Sequence, residues 1–169
     1  MAEHGHGHLV ADRVACAVLT VSDTRSAADD VSGGRVKALL GAAGHGVTSH
    51  RIVPDDPQVV AEAVAKLLDD PAVDAVILNG GTGLAPRDTT FEAVRGLLDK
   101  EIPGFGELFR YLSYADVGSA AMLSRATAGV ARGKIVVSMP GSPAAVELAM
   151  SKLVLPQLGH MVFLARGSH

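Results

Sequence analysis

The sequence has one cysteine, no tryptophan, and phenylalanine and tyrosine at only 4% of its 169 residues. A lone thiol, Cys16, can form neither an intramolecular disulfide nor a multi-cysteine zinc site. Its place in an apolar run makes it a buried small hydrophobe rather than a reactive thiol. So few aromatic rings leave no stacking platform for single-stranded bases. Charge is sparse too: Asp, Glu, Lys and Arg are 20% of the chain, and 15 basic against 18 acidic residues give −3. A long nucleic-acid groove needs concentrated positive charge, which this balance does not supply. No apolar segment reaches the ~18–20 residues expected of a membrane span. The N-terminus also lacks the basic start and apolar stretch of a secretory signal. The expectation is a reduced, soluble, cytoplasmic protein that contacts neither nucleic acid nor membrane.

Hydrophobic residues and glycine are plentiful, at 48% and 19 residues. At the usual ~150 residues per domain the length corresponds to one domain. Residues 1–12 carry His4, His6 and His8 interleaved with glycine. Alternate histidines could share a metal ion; a disordered tail is the preferred reading, which leaves residues 13–166 as the single domain. From Val14 onward, β-rich runs at 14–21, 46–53, 73–78 and 134–138 alternate with helix-period stretches. Residues 57–69 place Val60, Ala63, Val64, Leu67 and Leu68 on one face, and 34–43 repeats Val36, Leu39, Leu40 and Ala43. Further helices are expected at 91–98, at roughly 117–126, and from Pro143 to the end, where Pro156 must kink or divide the helix. The strand cores at 17–21, 75–79 and 135–139 read as apolar on both faces. This pattern predicts a three-layer α/β/α sandwich around a mostly parallel central sheet.

The strongest local feature is Asn79-Gly80-Gly81-Thr82-Gly83-Leu84-Ala85-Pro86-Arg87-Asp88, between a strand and a helix. Thr89 and Glu92 have capping-box spacing. Glycines there permit positive φ and bring backbone N–H groups close to a ligand. The carboxyl ends of parallel strands are the ligand side of such sheets, and helix N-termini there favour anions. Spacing alone leaves two readings open, a phosphate-binding loop and a tight β–α turn. The P-loop pattern is absent, and Gly81-x-Gly83-x-x-Pro86 is a defective dinucleotide fingerprint. A second junction, Met139-Pro140-Gly141-Ser142-Pro143, combines an N-cap serine with a first-turn proline. Acids fall on the same predicted edge: Asp23, Asp55 and Asp88. Carboxylates beside a phosphate cradle suit Mg²⁺, and Arg87 could neutralise charge on a transferring phosphoryl group.

Together these blocks resemble the molybdopterin adenylyltransferase family (the MogA/MoaB type, related to the gephyrin G domain). The matching pieces are Thr20-Val21-Ser22-Asp23, Asp30-x-Ser32-Gly33, Val53-Pro54-Asp55 and Gly80-Gly81-Thr82-Gly83-x-x-Pro86-Arg87-Asp88. They continue with Glu101-x-Pro103-Gly104-Phe105-Gly106-Glu107, Met122-Leu123-Ser124-Arg125 and Met139-Pro140-Gly141-Ser142-Pro143. The resemblance implies adenylylation of molybdopterin by Mg-ATP with release of pyrophosphate, ahead of metal insertion by a downstream partner protein. It makes Asp55 and Asp88 the catalytic pair and Mg²⁺ ligands. It assigns phosphate and pterin binding to Gly80, Gly81, Thr82, Gly83, Ser124, Pro140, Gly141 and Ser142, with Asp23 and Arg87 on the nucleotide side. It also implies a homotrimer or a hexamer, and the chain's length matches the shorter branch of the family. Two other functions compete: a carrier or scaffold that holds molybdopterin without adenylyl transfer, and another pterin enzyme such as a carbinolamine dehydratase. The latter favours well-placed histidines, whereas His45, His50 and His160 are scattered.

Overall fold

The computed structural model describes residues 10–167; His4, His6 and His8 lie outside the described residues. Six strands form one sheet in the order β2-β1-β3-β6-β5-β4. They are β1 Ala15–Val21, β2 Gly46–Val53, β3 Ala75–Asn79, β4 Lys100–Glu101, β5 Thr127–Ala131 and β6 Lys134–Met139. The neighbours β2, β1, β3 and β6 pair in parallel, and β5 runs against both β6 and β4. The helices are α1 Val31–Ala42, α2 Pro57–Asp69, α3 Thr90–Arg95, α4 Pro103–Val117, α5 Pro143–Ala149 and α6 Leu155–Ala165.

The expected sandwich is the fold found, and its layers follow from the strand alternation. Cys16, Val18, Ala75 and Ile77 point into a core shared with α1, α4, α5 and α6. Ala17, Leu19, Val76 and Leu78 point the other way, onto Val60, Val64, Leu67 and Leu68 of α2 and Val94 of α3. Central strands covered on both faces need continuous apolar runs, and all five residues of β3 are buried. Each fully buried Val, Leu or Ile contributes roughly 1.5–3 kcal/mol, so the two-sided pattern decides which segments become central strands. Asp56 caps α2 by accepting from the Gln58 and Val59 N–H groups, with Pro57 in the first turn.

Strand order also locates a crevice. The chain leaves β1 for the edge strand β2 and then returns across β1 to β3. The loops after β1 and β3 therefore diverge at the β1/β3 boundary, where parallel sheets bind ligands.

Several local expectations are corrected. The helix expected at 117–126 begins earlier, as α4 with Pro103 in its first turn. Gly118, at φ +60, ends it, and a 3-10 turn follows over Gly118–Leu123. The helix expected at 91–98 stops at Arg95. Strands β4 and β5 were not anticipated: one has two residues, and the other reads Thr-Ala-Gly-Val-Ala. At the C-terminus α5, a π turn over Met150–Val154 and α6 join into one 23-residue helix. By length and composition that helix could cross a membrane, contrary to the expectation that no segment is long enough. One of its faces, with Val146, Met150, Val154, Leu158 and Val162, packs in the core. The π turn also accommodates Pro156: the Leu155 N–H reaches back to the Met150 carbonyl, widening the helix just before the proline.

Candidate functional site

Four strands deliver their carboxyl ends to one edge. Beyond β1 come Ser22 and Asp23, beyond β2 Pro54 and Asp55, beyond β3 the glycine loop, and beyond β6 Pro140, Gly141 and Ser142. Gly80 has φ +103, and a Cβ there would overlap the Val21 carbonyl oxygen. Gly81 has φ +67, and a Cβ there would overlap the Thr90 hydroxyl and stand 2.7 Å from Asp55 Oδ2. These two glycines are required by backbone conformation and by close approach.

The three expected acids are linked through the loops. The Asp55 N–H donates to Asp23 Oδ1 at 2.9 Å, and Arg87 Nη2 donates to Asp23 Oδ2 at 3.0 Å. Asp55 Oδ1 accepts from the Thr89 N–H at 3.2 Å and from the Thr89 hydroxyl at 3.1 Å. Asp88 turns back into its own loop, where Oδ2 accepts from the Ala85 N–H at 3.1 Å. The capping box expected for α3 does not form. Thr89 makes no side-chain bond to the helix, because its hydroxyl serves Asp55, while Glu92 pairs with Arg125.

The second junction abuts the first. A Cβ on Gly141 would stand 3.1 Å from the Gly80 Cα. The Gly141 carbonyl accepts from Ser32 Oγ at 2.6 Å and Arg25 Nη2 at 2.9 Å. Ser142 caps α5 as expected, accepting from the Ala145 N–H at 3.2 Å. Ser124, Pro140 and Ser142 line one groove of about 200 Å³ with Phe109, Ser113 and Leu148. A larger cavity of about 480 Å³ opens between the ends of β1 and β2, lined by Ser22, Asp23, Arg25, His50 and Pro54. The first is mainly apolar, whereas the second carries charge.

Two groups of residues escaped the sequence reading. One is a buried polar chain beneath the larger cavity. Asn79 Nδ2 donates to Thr20 Oγ1 at 3.0 Å, and Thr20 Oγ1 donates to Asp30 Oδ2 at 2.6 Å. His50 Nε2 lies 2.8 Å from the same oxygen, and Asp30 Oδ1 accepts from the Gly33 N–H at 2.9 Å. Burial alone would raise the Asp30 carboxyl. The bonds from Thr20, Gly33 and His50 outweigh it and hold the group below the ordinary 3.8. The other is Arg125, which was quoted within a motif but given no role. Its guanidinium donates to the Gly83 and Asp88 carbonyls. Those contacts span 37 to 42 residues, so no local spacing signals them.

Residues 17–160 match a family described as "Probable molybdopterin binding domain". The chain is 55% identical over 151 residues to molybdenum cofactor biosynthesis protein B of Bacillus cereus, covering 89% of each. A crystal structure of a molybdenum cofactor biosynthesis protein B superimposes with a TM-score of 0.91 at 52% identity, covering 94% of this chain and 99% of that one. The tungsten cofactor synthesizing protein MoaB from Pyrococcus furiosus superimposes at 0.82 with 36% identity, covering 91% and 98%.

Proposed function

The chain belongs to the molybdopterin-binding family of molybdenum cofactor biosynthesis, and from that premise we propose that it adenylylates molybdopterin with Mg-ATP in the cytoplasm. The observation that carries this reading is the lacing of two acid-bearing loops around a glycine turn. Asp55 is bonded to the residue that follows Asp88, and its Oδ2 faces Gly81. In the reaction an oxygen of the pterin's terminal phosphate forms a bond to the α-phosphorus of ATP. The bond from that phosphorus to the bridging oxygen breaks, and pyrophosphate leaves. Positioning and charge neutralisation are the main requirements of such a transfer. The Gly80–Gly83 turn holds phosphate through its backbone. The groove of Ser124, Pro140 and Ser142, next to Gly141, takes the pterin, and the cavity beside Asp23 takes the nucleotide, with Arg87 at its margin.

The residues present fit a magnesium ion. Asp55 Oδ2 and Asp88 Oδ1 accept no hydrogen bond among the described residues. Mg²⁺ commonly takes one or two carboxylates beside nucleotide phosphates rather than an all-protein cage. When bound, the ion would offset phosphate charge.

The test is pyrophosphate release by purified protein given Mg-ATP, with and without molybdopterin. Release only with molybdopterin is expected, and Asp88→Ala should abolish it while retaining fold and pterin binding. Full activity in that variant removes the catalytic assignment. The carrier reading draws support from the Asp88 carboxylate, which is tied to its own loop. Calorimetry would then show pterin binding that Mg-ATP leaves unchanged. The proposed assembly is a homotrimer or a hexamer, supported by the exposed Leu108, Tyr111, Tyr114 and Val117 of α4, and the proposed product goes to a metal-insertion partner.

A further inference from the structure

Arg125 stands between the 3-10 turn and β5, with its guanidinium applied to the glycine loop. Nε and Nη2 donate to the Gly83 carbonyl at 3.0 and 2.8 Å, and Nη2 donates to the Asp88 carbonyl at 2.8 Å. The Arg125 N–H donates to the Thr82 carbonyl at 3.2 Å. Nη1 pairs with Glu92, and the guanidinium carbon lies 5.2 Å from the Phe91 ring centroid. Four of the five guanidinium N–H donors are taken by protein, so Arg125 acts on the loop rather than as a main ligand contact.

Its effect passes through the peptide planes. A trans peptide carries its C=O and N–H on opposite sides, and no cis peptide occurs among the described residues. The Thr82, Gly83 and Asp88 carbonyls point at Arg125, so the N–H groups of Gly83, Leu84 and Thr89 point away from it. Thr89 bears this out, since its N–H donates to Asp55. The Gly83 and Leu84 N–H groups donate to no protein atom among the described residues. Successive free N–H groups in a turn form an anion-binding concavity. Taking the adenylyl-transfer reading as given, we infer that Arg125 is a positioning residue: it holds three loop carbonyls on its own side and thereby aims the Gly83 and Leu84 N–H groups at a substrate phosphate, while fixing the backbone that carries Asp88. A planar fork is needed for this, and a lysine cannot reproduce it.

Arg125→Lys keeps the charge and removes the fork. By calorimetry with inorganic pyrophosphate, its affinity is expected to fall about tenfold, and kcat about 100-fold, the scale of losing oriented backbone donors. KM for molybdopterin should change much less, because the pterin groove is lined by other residues. Millimolar guanidinium should partly restore Arg125→Ala, which a general loss of structure would not allow. Wild-type protein that binds pyrophosphate through these two amides but makes no adenylylated product removes the adenylyl-transfer reading and supports the donor pair. Arg125→Lys matching wild type in affinity and kcat overturns the inference. Should the variants fail to fold, an amide NMR titration of wild-type protein with pyrophosphate decides it. The Gly83 and Leu84 signals should move most; no movement at either overturns the inference.

Discussion

Gly80 and Gly141 join the two halves of the site backbone to backbone, with the Gly80 Cα 3.1 Å from where a Gly141 Cβ would lie. Their sensitivity to substitution should differ. At Gly80 an alanine meets both a positive φ and the Val21 carbonyl, neither of which can yield cheaply. At Gly141 the neighbour need give only a few tenths of an ångström. Gly80→Ala is expected to cost about 3 kcal/mol or more, combining backbone strain with overpacking, and Gly141→Ala about 1 kcal/mol. Urea unfolding midpoints measure both, and equal midpoints would contradict the ranking.

Asp55 serves two purposes that a conservative substitution separates. Asp55→Asn keeps an oxygen to accept from Thr89 but removes the charge that faces Gly81. Stability should fall by only about 1 kcal/mol, the difference between hydrogen bonds to a charged and to a neutral acceptor. Adenylyl transfer should fall at least 100-fold if the carboxylate holds the magnesium ion that offsets phosphate charge. Pyrophosphate release and thermal melting, measured on the same preparation, would expose any outcome in which the two fall together.

How much of this was legible depended on whether the deciding contacts were local. Strands β1, β3 and β6 announced themselves because burial on both faces demands unbroken apolar runs. The Gly80–Gly83 turn was visible as an interruption between a strand and a helix. Strand β5 was not, because Thr127–Ala131 gains its identity only by pairing with β6 and β4. The capping box failed for a related reason. Thr89 and Glu92 have the right spacing, but Asp55 and Arg125, 34 and 33 residues away, take their side chains. Likewise Asp30 was quoted within a motif block, while its bonds to Thr20 and His50 exist only because β1 and β2 are neighbours.

Cys16 is wholly buried on β1. Burial, and after it the negative charge of Asp74, push its thiol up to about 12. The reactive thiolate is therefore scarce at neutral pH. A soluble disulfide reagent at pH 8 should label none of the native protein and one thiol per chain in denaturing urea. Rapid native labelling would place Cys16 at the surface.

Helix α4 exposes Leu108, Tyr111, Tyr114 and Val117 at three-residue spacing, and Met122 and Leu123 extend the patch beyond it. Tyr111 is 77% exposed and Met122 75%, an unusual concentration of large apolar side chains in a sequence with so few aromatics. If a copy of the chain covers this band, Tyr111→Glu combined with Leu108→Glu should lower the mass seen by sedimentation equilibrium to that of one 17.3 kDa chain. Wild-type protein already sedimenting at that mass would dispose of the assembly.

Asp30 gives the fold an acid-sensitive component whose sign is set by its partners. Its carboxyl is held below 3.8 in the folded state, so the unfolded chain takes up its proton first as pH falls. The stabilisation is therefore complete above the ordinary value and is lost as pH drops from 3.8 through the lowered folded value. Asp30→Asn removes the ionised acceptor for Thr20 and His50 while leaving an oxygen to cap α1. It should cost about 1.5–3 kcal/mol at pH 7, the range for hydrogen bonds to a charged group. That cost should shrink as wild-type Asp30 becomes protonated, so urea midpoints of the two proteins should converge below pH 3.8. His50→Gln tests the same contact from the other side. It should destabilise at neutral pH, and its gap to wild type should close over the same acid range. A gap that is constant from pH 7 to 3 would mean that the charge on Asp30 contributes nothing to folding.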